Sequence, residues 1–121
     1  MKTIGIGVDI IQNKRFKNLI NSKTFIKRTF GKKEVNLAKK FTDKTNYFAK
    51  RFAAKESFAK SLGTGFRKNL NLKDIEILND KIGKPYYFKS KKINDIINKR
   101  FKVKSYYVFL SISDEKDYSI A

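Results

Sequence analysis

The stretch from Tyr47 to Phe66, YFAKRFAAKESFAKSLGTGF, places the strongest constraint on the fold. It is rich in Ala, Lys, Leu and Phe and has no Pro, and its first Gly comes only at the end. This composition predicts a long helix. Thr45 or Asn46 can cap its start, and the glycine turn at 63–65 ends it.

The apolar face of this predicted helix carries a carboxylate. At about 100° per residue, Glu56 falls among the apolar positions, and Lys60 follows one turn later. The apolar positions are Phe48, Ala49, Phe52, Ala53, Ala59 and Leu62. A buried carboxylate is costly unless it is paired or holds a metal. Two interpretations are open: an i,i+4 Glu56–Lys60 salt bridge on a partly wet helix, or a functional site.

Composition limits the chemistry that the chain can perform. Its 121 residues are 40% hydrophobic and include 11 Phe and 6 Tyr, which indicates one globular domain spanning 1–121. The absence of Cys excludes disulfides and thiolate ligands, and the absence of His removes the commonest general base and zinc ligand. A bound metal must therefore have oxygen ligands, which points to a hard ion such as Mg²⁺.

The chain is predicted to be cytoplasmic and independent of membranes. No apolar run approaches the roughly 20 residues needed to cross a bilayer. The beginning, MKTIGIGVDII, has no small-residue cleavage site, and Asp9 interrupts its apolar run. The net charge of +18 implies an anionic partner, namely nucleic acid, a membrane surface, a phosphorylated ligand or an acidic protein. Lys is spread along the chain without blocks, so much of this charge can equally be solvated surface.

Residues 3–11 alternate and predict a strand with two different faces. Ile4, Ile6, Val8 and Ile10 point one way, whereas Gly5, Gly7 and Asp9 point the other. Glycine inside a strand often marks the close approach of a ligand or of another backbone. An edge strand that ends in an exposed Asp is the alternative.

The remaining patterns predict an α+β fold in which an antiparallel sheet packs on the long helix and on shorter helices. The further predicted helices are 13–21, 23–30 capped by Ser22, 32–41 and 91–101. The further predicted strands are 75–78, 86–88, 106–113 and 118–121. A polar stretch at 67–71 and turns at 79–85 and 114–117 connect them.

Asp9 and Glu56 are the two acids in unusual settings. If the strand packs on the helix, two carboxylates meet in a basic cleft and, with waters and a phosphate, form a plausible Mg²⁺ site. The N–H groups of the 63–65 turn could cradle a phosphate, although a helix C-cap is the commoner explanation. Lys60 could contact the same phosphate or serve only as a salt-bridge partner.

Five motifs, in this order, resemble the family of holo-[acyl-carrier-protein] synthases, the small bacterial 4′-phosphopantetheinyl transferases. They are GIGVDI at 5–10 followed by Arg15, RFAAKESFAK at 51–60, LGTG at 62–65, GKP at 83–85 and SIS at 111–113. The first two together are specific, and the last three support them.

The resemblance implies an α+β homotrimer with active sites between subunits. It implies transfer of the phosphopantetheine arm of coenzyme A to a serine of acyl carrier protein, which supports fatty acid biosynthesis and releases adenosine 3′,5′-bisphosphate. Asp9, Glu56 and Lys60 would be catalytic: the two carboxylates would hold Mg²⁺ and Lys60 would contact the pyrophosphate. Arg15 and the basic segment after it would meet the acidic carrier protein. The residues implied along the nucleotide are Arg51, Lys60, Gly63, Thr64, Gly65, Gly83, Lys84 and Pro85.

One position departs from the family pattern. Relatives commonly have a His after the SIS-like strand, where this chain has Asp114. Asp114 could be a substitute base, part of the metal's surroundings or a surface acid, so a carboxylate or a bound water is left to accept the serine proton. A catalytically inactive relative and a basic nucleic-acid-binding domain are the alternatives. Against the latter, the aromatic residues follow core periodicity and no recognition motif is present, so no specific nucleic acid is expected.

Overall fold

The computed structural model describes residues 2–66 and 69–121, and these residues form five helices and five short antiparallel strands. The helices are α1 (Phe16–Leu19), α2 (Lys23–Thr29), α3 (Lys32–Ala38), α4 (Lys44–Ser61) and α5 (Lys91–Phe101). The strands are β1 (Ile10–Gln12), β2 (Ile77–Asn79), β3 (Pro85–Tyr87), β4 (Ser113–Asp114) and β5 (Tyr118–Ile120). Single 3-10 turns, Asn13–Arg15 and Leu72–Asp74, precede α1 and β2. The predicted α+β class is confirmed. The predicted polar stretch 67–71 lies partly outside the described residues.

Helix α4 is the predicted long helix, but the predicted cap at Thr45 or Asn46 is wrong. Asp43 is the N-cap, and its carboxylate accepts a hydrogen bond from the Asn46 backbone N–H at 2.9 Å. The carboxylate satisfies one of the free N–H groups of the first turn and faces the positive end of the helix dipole. The helix therefore begins at Lys44, three residues before the predicted stretch.

Helix α4 joins two apolar clusters. Its first half contributes Tyr47, Phe48, Ala49 and Ala53 to a cluster with Ile11, Phe16, Phe30 and Ala38. Its second half contributes Ala54, Phe58 and Leu62 to a cluster with Leu70, Ile75, Ile77, Ile93 and Ile97. Each large apolar side chain buried in this way contributes about 1.5–3 kcal/mol. Because both clusters use the same helix, α4 connects the two halves of the core.

Two antiparallel sheets lie beside α4. The first has the order β1-β5-β4, and in it Ile120 lies opposite both Ile10 and Ser113. The second is the β2-β3 hairpin, in which Leu78 lies opposite Tyr86. Pro85 begins β3, one residue before the predicted strand, at a position where proline is tolerated.

Two predicted strands are longer than the ladders that the structure contains. Residues 3–9 and 106–112 lie outside the strands of the described chain. Their alternation persists in the exposure of the side chains: Ile6, Val8, Tyr107 and Phe109 are between 59% and 81% exposed. Alternation identifies the two faces of a strand but not its partner. In the part of the chain that the structure describes, Asp9 exchanges hydrogen bonds with Ala121, whereas residues 3–8 and 106–112 belong to no ladder.

Several predicted ends also shift. Residues 13–21 divide into a 3-10 turn and the short helix α1, and α3 ends at Ala38 rather than at 41. Asp114, predicted in a turn, belongs to β4. None of the helices in residues 2–66 and 69–121 has the length and apolar character that a bilayer crossing requires.

Candidate active site

The segment before β1 lies directly on the backbone of α4. A Cβ atom at Gly7 would stand 1.7 Å from the carbonyl oxygen of Ser57, and one at Gly5 would stand 2.0 Å from that of Ser61. A side chain at either position would overlap the helix, so both positions require glycine. The close approach that the glycines predicted is therefore an approach to another backbone, and it brings Asp9 beside α4.

Hydrogen bonds hold both the backbone and the side chain of Asp9. Its backbone N–H and carbonyl exchange hydrogen bonds with Ala121 at 2.9 and 3.0 Å. Its side chain is 15% exposed, and Oδ1 accepts a hydrogen bond from Lys60 Nζ at 3.0 Å. Lys60 also donates to the carbonyl oxygen of Val8 at 3.0 Å. The interpretation of Lys60 as the salt-bridge partner of Glu56 is therefore wrong, because its ammonium reaches across to Asp9.

The negative charge of Asp9 acts on the carboxylate of Glu56. Burial, and next the charge of Asp9, raise the pKa of Glu56 above its ordinary value, while Lys60 acts in the opposite direction. Within residues 2–66 and 69–121 the carboxylate of Glu56 forms no ion pair. The structure thus brings together the two carboxylates that the sequence singled out, with one ammonium between strand and helix.

The donor set of this pair fits a hard metal ion. Among the residues described, no cluster of three or more His, Cys, Asp or Glu side chains is placed to hold a metal, so Asp9 and Glu56 act as a pair. Mg²⁺ in enzymes that act on phosphates is typically bound by one or two carboxylates, with waters and substrate oxygens filling the other positions. Two carboxylates that repel each other match that requirement, because a divalent cation would relieve the repulsion.

The turn at 63–65 closes the second half of α4. Gly63 and Gly65 have φ values of +75° and +63°, so both positions favour glycine. Arg100 of α5 donates a hydrogen bond through Nε to the carbonyl oxygen of Leu62 at 3.3 Å and so links this turn to α5. A cavity of about 480 Å³ opens beside Thr64. Its other lining residues are Asn69, Leu70, Lys92, Asp95, Ile96, Lys99 and Arg100. No sequence motif points to Arg100, whose one signal is its place in the basic last turn of α5.

Arg51 and the Gly83-Lys84-Pro85 loop, predicted to lie along one nucleotide, are connected in the structure. Arg51 is only 3% exposed, and its guanidinium lies 3.8 Å from the ring centre of Tyr47. Its Nη2 donates to Asn79 Oδ1, and Asn79 Nδ2 donates to the carbonyl oxygen of Gly83 at 2.9 Å. Asn79 is thus a further residue of this region that no motif identified.

A buried ion pair joins Lys55 of α4 to Glu34 of α3. Lys55 and Glu34 are both 0% exposed and hydrogen-bond to each other. Lys55 also donates to the carbonyl oxygens of Leu72 and Ile75, and Glu34 accepts from the Ile77 N–H at 3.1 Å. Burial raises the pKa of Glu34 and lowers that of Lys55, while each partner's charge opposes that effect. The pair ties α3 and β2 to the turn of α4 that carries Glu56.

Comparison with known proteins decides the family. The family model described as the 4′-phosphopantetheinyl transferase superfamily matches residues 5–121. The chain belongs to this superfamily. Within it, the chain is 55% identical over 121 residues to the holo-[acyl-carrier-protein] synthase of Pelagibacter ubique. The matched residues cover 100% of this chain and 94% of that relative. The resemblance and the enzyme class inferred from the motifs are confirmed.

Solved structures of the synthase family have the same fold. The holo-[acyl-carrier-protein] synthase of Neisseria meningitidis superposes with a TM-score of 0.88 at 35% identity, over 98% of this chain and 94% of that chain. The synthase of Bacillus anthracis, solved in complex with CoA (3′,5′-ADP), superposes with a TM-score of 0.77 at 35% identity. The match covers 97% of this chain and 90% of that chain. The predicted antiparallel sheet on a long helix is therefore the architecture of this family.

Arg15, which the family resemblance placed at the carrier protein, lies at an exposed edge of the fold. It ends the 3-10 turn before α1, and its side chain is exposed. Residues 13–42 contain ten Lys and Arg side chains, all exposed, and one acid, Glu34, which is buried. The helices α1 to α3 therefore present a cationic surface without an exposed acid.

Asp114, the position at which the family resemblance implies a His, is not at the carboxylate pair within one chain. Its Oδ2 accepts a hydrogen bond from Asn46 Nδ2 at 2.7 Å, and its Oδ1 lies 3.8 Å from Lys50 Nζ. Both partners belong to the first half of α4, and Asn46 is ten residues, or about 15 Å of helix, from Glu56. In a single subunit Asp114 therefore has the contacts of a surface acid.

Proposed function

We propose that this chain transfers the 4′-phosphopantetheine arm of coenzyme A to a serine of apo-acyl carrier protein in a Mg²⁺-dependent reaction. The serine oxygen forms a bond to the phosphorus that bears the pantetheine, the phosphorus–oxygen bond to the nucleotide breaks, and adenosine 3′,5′-bisphosphate leaves. The observation that carries the proposal is the pairing of Asp9 and Glu56 beside Lys60, in a chain of this family. The whole chain, 1–121, acts as one domain, and the reaction supports fatty acid biosynthesis in the cytoplasm.

Asp9 and Glu56 would hold the Mg²⁺. When bound, the ion neutralises charge on the pyrophosphate and orients it for displacement. Lys60 is 54% exposed while it bonds to Asp9, so its ammonium can also face a phosphate oxygen. The serine proton needs an acceptor, and the chain has no His. A carboxylate or a metal-bound water would therefore accept the proton.

The nucleotide would lie between the end of α4 and the β2–β3 loop. Gly63 ends the helix with its N–H bonded to the carbonyl oxygen of Lys60, so the backbone N–H groups of Thr64 and Gly65 would be the ones to meet a phosphate. Gly83, Lys84 and Pro85 belong to the β2–β3 hairpin. Arg51 is connected to that loop through Asn79. The relative from Bacillus anthracis was solved with CoA (3′,5′-ADP) and the one from Helicobacter pylori with coenzyme A, which supports the same class of ligand here.

The carrier protein would dock on the cationic surface of residues 13–42, which includes Arg15. Acyl carrier protein is acidic by the family resemblance, and this surface has ten exposed cations and no exposed acid. Complementary charge of this kind increases the rate of encounter more than the affinity, and salt weakens the effect.

The unpaired segments favour assembly into a homotrimer. Ile6, Val8, Tyr107 and Phe109 are exposed apolar residues on two segments whose ladders are unfilled within one described chain. Unpaired strand edges with apolar side chains are templates for pairing with another chain. Copies of the same chain would cover them, and the family resemblance supplies the number three. Assembly would also bring elements of a neighbouring subunit, Asp114 among them, toward the carboxylate pair.

Mass spectrometry of the carrier protein tests the reaction directly. The protein is mixed with apo-acyl carrier protein, coenzyme A and Mg²⁺, and a matched sample contains EDTA. We expect the carrier to gain one phosphopantetheine group, and EDTA to abolish the gain. No gain on a carrier that a known transferase modifies, with a folded protein, would overturn the proposal and favour an inactive relative or a nucleic-acid-binding domain.

A further inference from the structure

The side chain of Asn79 links the loop between β2 and β3 to α4. Its Oδ1 accepts from Arg51 Nη2 and its Nδ2 donates to the carbonyl oxygen of Gly83 at 2.9 Å. Arg51 is buried against the ring of Tyr47. Within the described ranges, 2–66 and 69–121, Asn79 is the hydrogen-bond partner of this guanidinium. The amide therefore links a fixed, buried cation to an exposed loop.

The internal shape of the loop has a different source. Asp80 Oδ1 accepts hydrogen bonds from the N–H groups of Ile82 at 3.0 Å and Lys84 at 2.9 Å. The Gly83 N–H donates to the Asp80 carbonyl oxygen at 3.0 Å, and Gly83 has a φ of +88°. Asp80 thus sets the conformation of the loop, whereas Asn79 sets its position relative to α4. The two roles fall on neighbouring residues and can be tested separately.

We propose that Asn79 is a positioning residue for the nucleotide, because it holds the Gly83-Lys84-Pro85 loop at a fixed distance from Arg51. This inference rests on the proposed function, in which the loop and Arg51 serve one nucleotide. Only a primary amide of this length fits the role, since it accepts from the guanidinium and donates to the carbonyl at once. Asp accepts but cannot donate, and Gln is longer by one methylene. Small displacements of a binding group weaken the complex strongly, so loss of this link is measurable.

Calorimetric titration with adenosine 3′,5′-bisphosphate tests the proposal. We expect Asn79→Ala to raise the Kd for the nucleotide about tenfold, and Asn79→Asp, which keeps the Arg51 bond only, to raise it by a smaller factor. The KM for the carrier protein should stay within about twofold in both variants, because the docking surface is separate. The matched control is Asn94→Ala, since Asn94 also accepts a side-chain hydrogen bond, from the Tyr106 hydroxyl. It should leave the Kd unchanged.

A double-mutant cycle separates positioning from a general loss of stability. Arg51→Met and Asn79→Ala remove the two ends of one link, so their combination should raise the Kd little more than either change alone. Asp80→Ala combined with Asn79→Ala should instead show the full product of the two effects. An unchanged Kd in Asn79→Ala, an equal rise in the KM for carrier protein, or strictly multiplicative effects of Arg51→Met and Asn79→Ala would each overturn the proposal.

Amide hydrogen exchange distinguishes a failure of this inference from a failure of the proposed function. Residues 80–84 should exchange faster in Asn79→Ala than in the unmodified chain, with α5 unaffected, whether or not a nucleotide is present. If the unmodified chain binds no coenzyme A nucleotide, the proposed function fails and this inference fails with it. If the chain binds the nucleotide but exchange over 80–84 is unchanged by Asn79→Ala, only the role of Asn79 is refuted.

Discussion

The ammonium of Lys60 lies 3.0 Å from Asp9 Oδ1 and leaves Glu56, its neighbour one turn back on α4, without an ion pair among the described residues. Two carboxylates and one ammonium leave the group with a net charge of −1 when all are ionised. This local negative charge stands in a chain with a net charge of +18. A divalent cation would reverse its sign, and the site would then attract a pyrophosphate rather than repel it.

Removing either carboxylate should abolish the reaction and leave the fold intact. Asp9→Ala and Glu56→Ala each leave one ligand for the metal, so we expect kcat/KM to fall at least about a thousandfold. The transfer assay with Mg²⁺ measures this, and circular dichroism checks folding. Near-normal Mg²⁺-dependent turnover in both variants would refute the metal site.

Glu56→Gln should stabilise the metal-free protein. Burial, and next Asp9, raise the pKa of Glu56 in the folded state above the ordinary value of 4.5. The folded state therefore binds this proton more tightly than the unfolded state, and stability is lost as the pH rises through the folded pKa. At pH 7 in EDTA we expect the variant to melt roughly 1–3 °C higher, a modest shift because Glu56 is partly solvated. The difference in Tm between the variant and the unmodified chain should become smaller as the pH falls toward 4.5. Mg²⁺ should raise the Tm of the unmodified chain only. A lower Tm for the variant in EDTA would contradict the raised pKa.

Gly7→Ala should separate the strand segment from α4. Its Cβ would stand 1.7 Å from the Ser57 carbonyl oxygen, so the backbone has to move, at a cost of about 3 kcal/mol in the free energy of unfolding. Gly65→Ala is the control: its φ of +63° strains an Ala by about 1 kcal/mol, but among residues 2–66 and 69–121, its chain neighbours aside, no atom lies within 4 Å of the new methyl group. Urea unfolding measures both. Equal losses in the two variants would show that the close contact has no special role.

Arg15→Glu should impair recognition of the carrier protein selectively. The substitution places an acid on an otherwise cationic surface, so we expect the KM for carrier protein to rise about tenfold while that for coenzyme A stays nearly constant. Lys91→Glu on α5 makes the same change of charge away from that surface and should leave both KM values near those of the unmodified chain. Equal effects of Arg15→Glu on the two KM values would argue against Arg15 as a partner contact.

Ile6→Lys should disrupt assembly without unfolding the subunit. Ile6 is 81% exposed in the single chain, and a charge there is costly only when another subunit covers the position. Ile82→Lys is the matched control, because Ile82 is 89% exposed at the tip of the β2–β3 hairpin. Analytical ultracentrifugation should give trimers for the control and smaller species for Ile6→Lys. Identical sedimentation of both variants would exclude this face from the interface.

The sequence predicted the elements that local chemistry determines. Residue composition and periodicity located α4 and α5, and the glycine pattern of residues 5–7 predicted the backbone contact that brings Asp9 to α4. The partners of the strands could not be predicted from the sequence, because the alternation at 106–113 is the same whether a ladder forms within a chain or between chains. The spacing offered Glu56 as the salt-bridge partner of Lys60, with a phosphate contact as the alternative, and did not point to Asp9, because sequence spacing reports contacts within a helix and not across to another segment. Asn79 and the buried Lys55–Glu34 pair depend on tertiary contacts that no motif encodes.

If the chain assembles as proposed, the exposed segments at 3–8 and 106–112 leave the newly folded single subunit open to pairing with the wrong partners. Before correct assembly, each edge can pair with any extended chain, and the outcome is a competition between ordered association and aggregation. The high positive charge of the chain acts in that interval, because repulsion between like-charged subunits slows indiscriminate collisions. Salt reduces this protection, since the range of the repulsion shrinks to about 8 Å at physiological ionic strength. Part of the lysine excess can thus be understood as keeping the subunit soluble on its way to assembly.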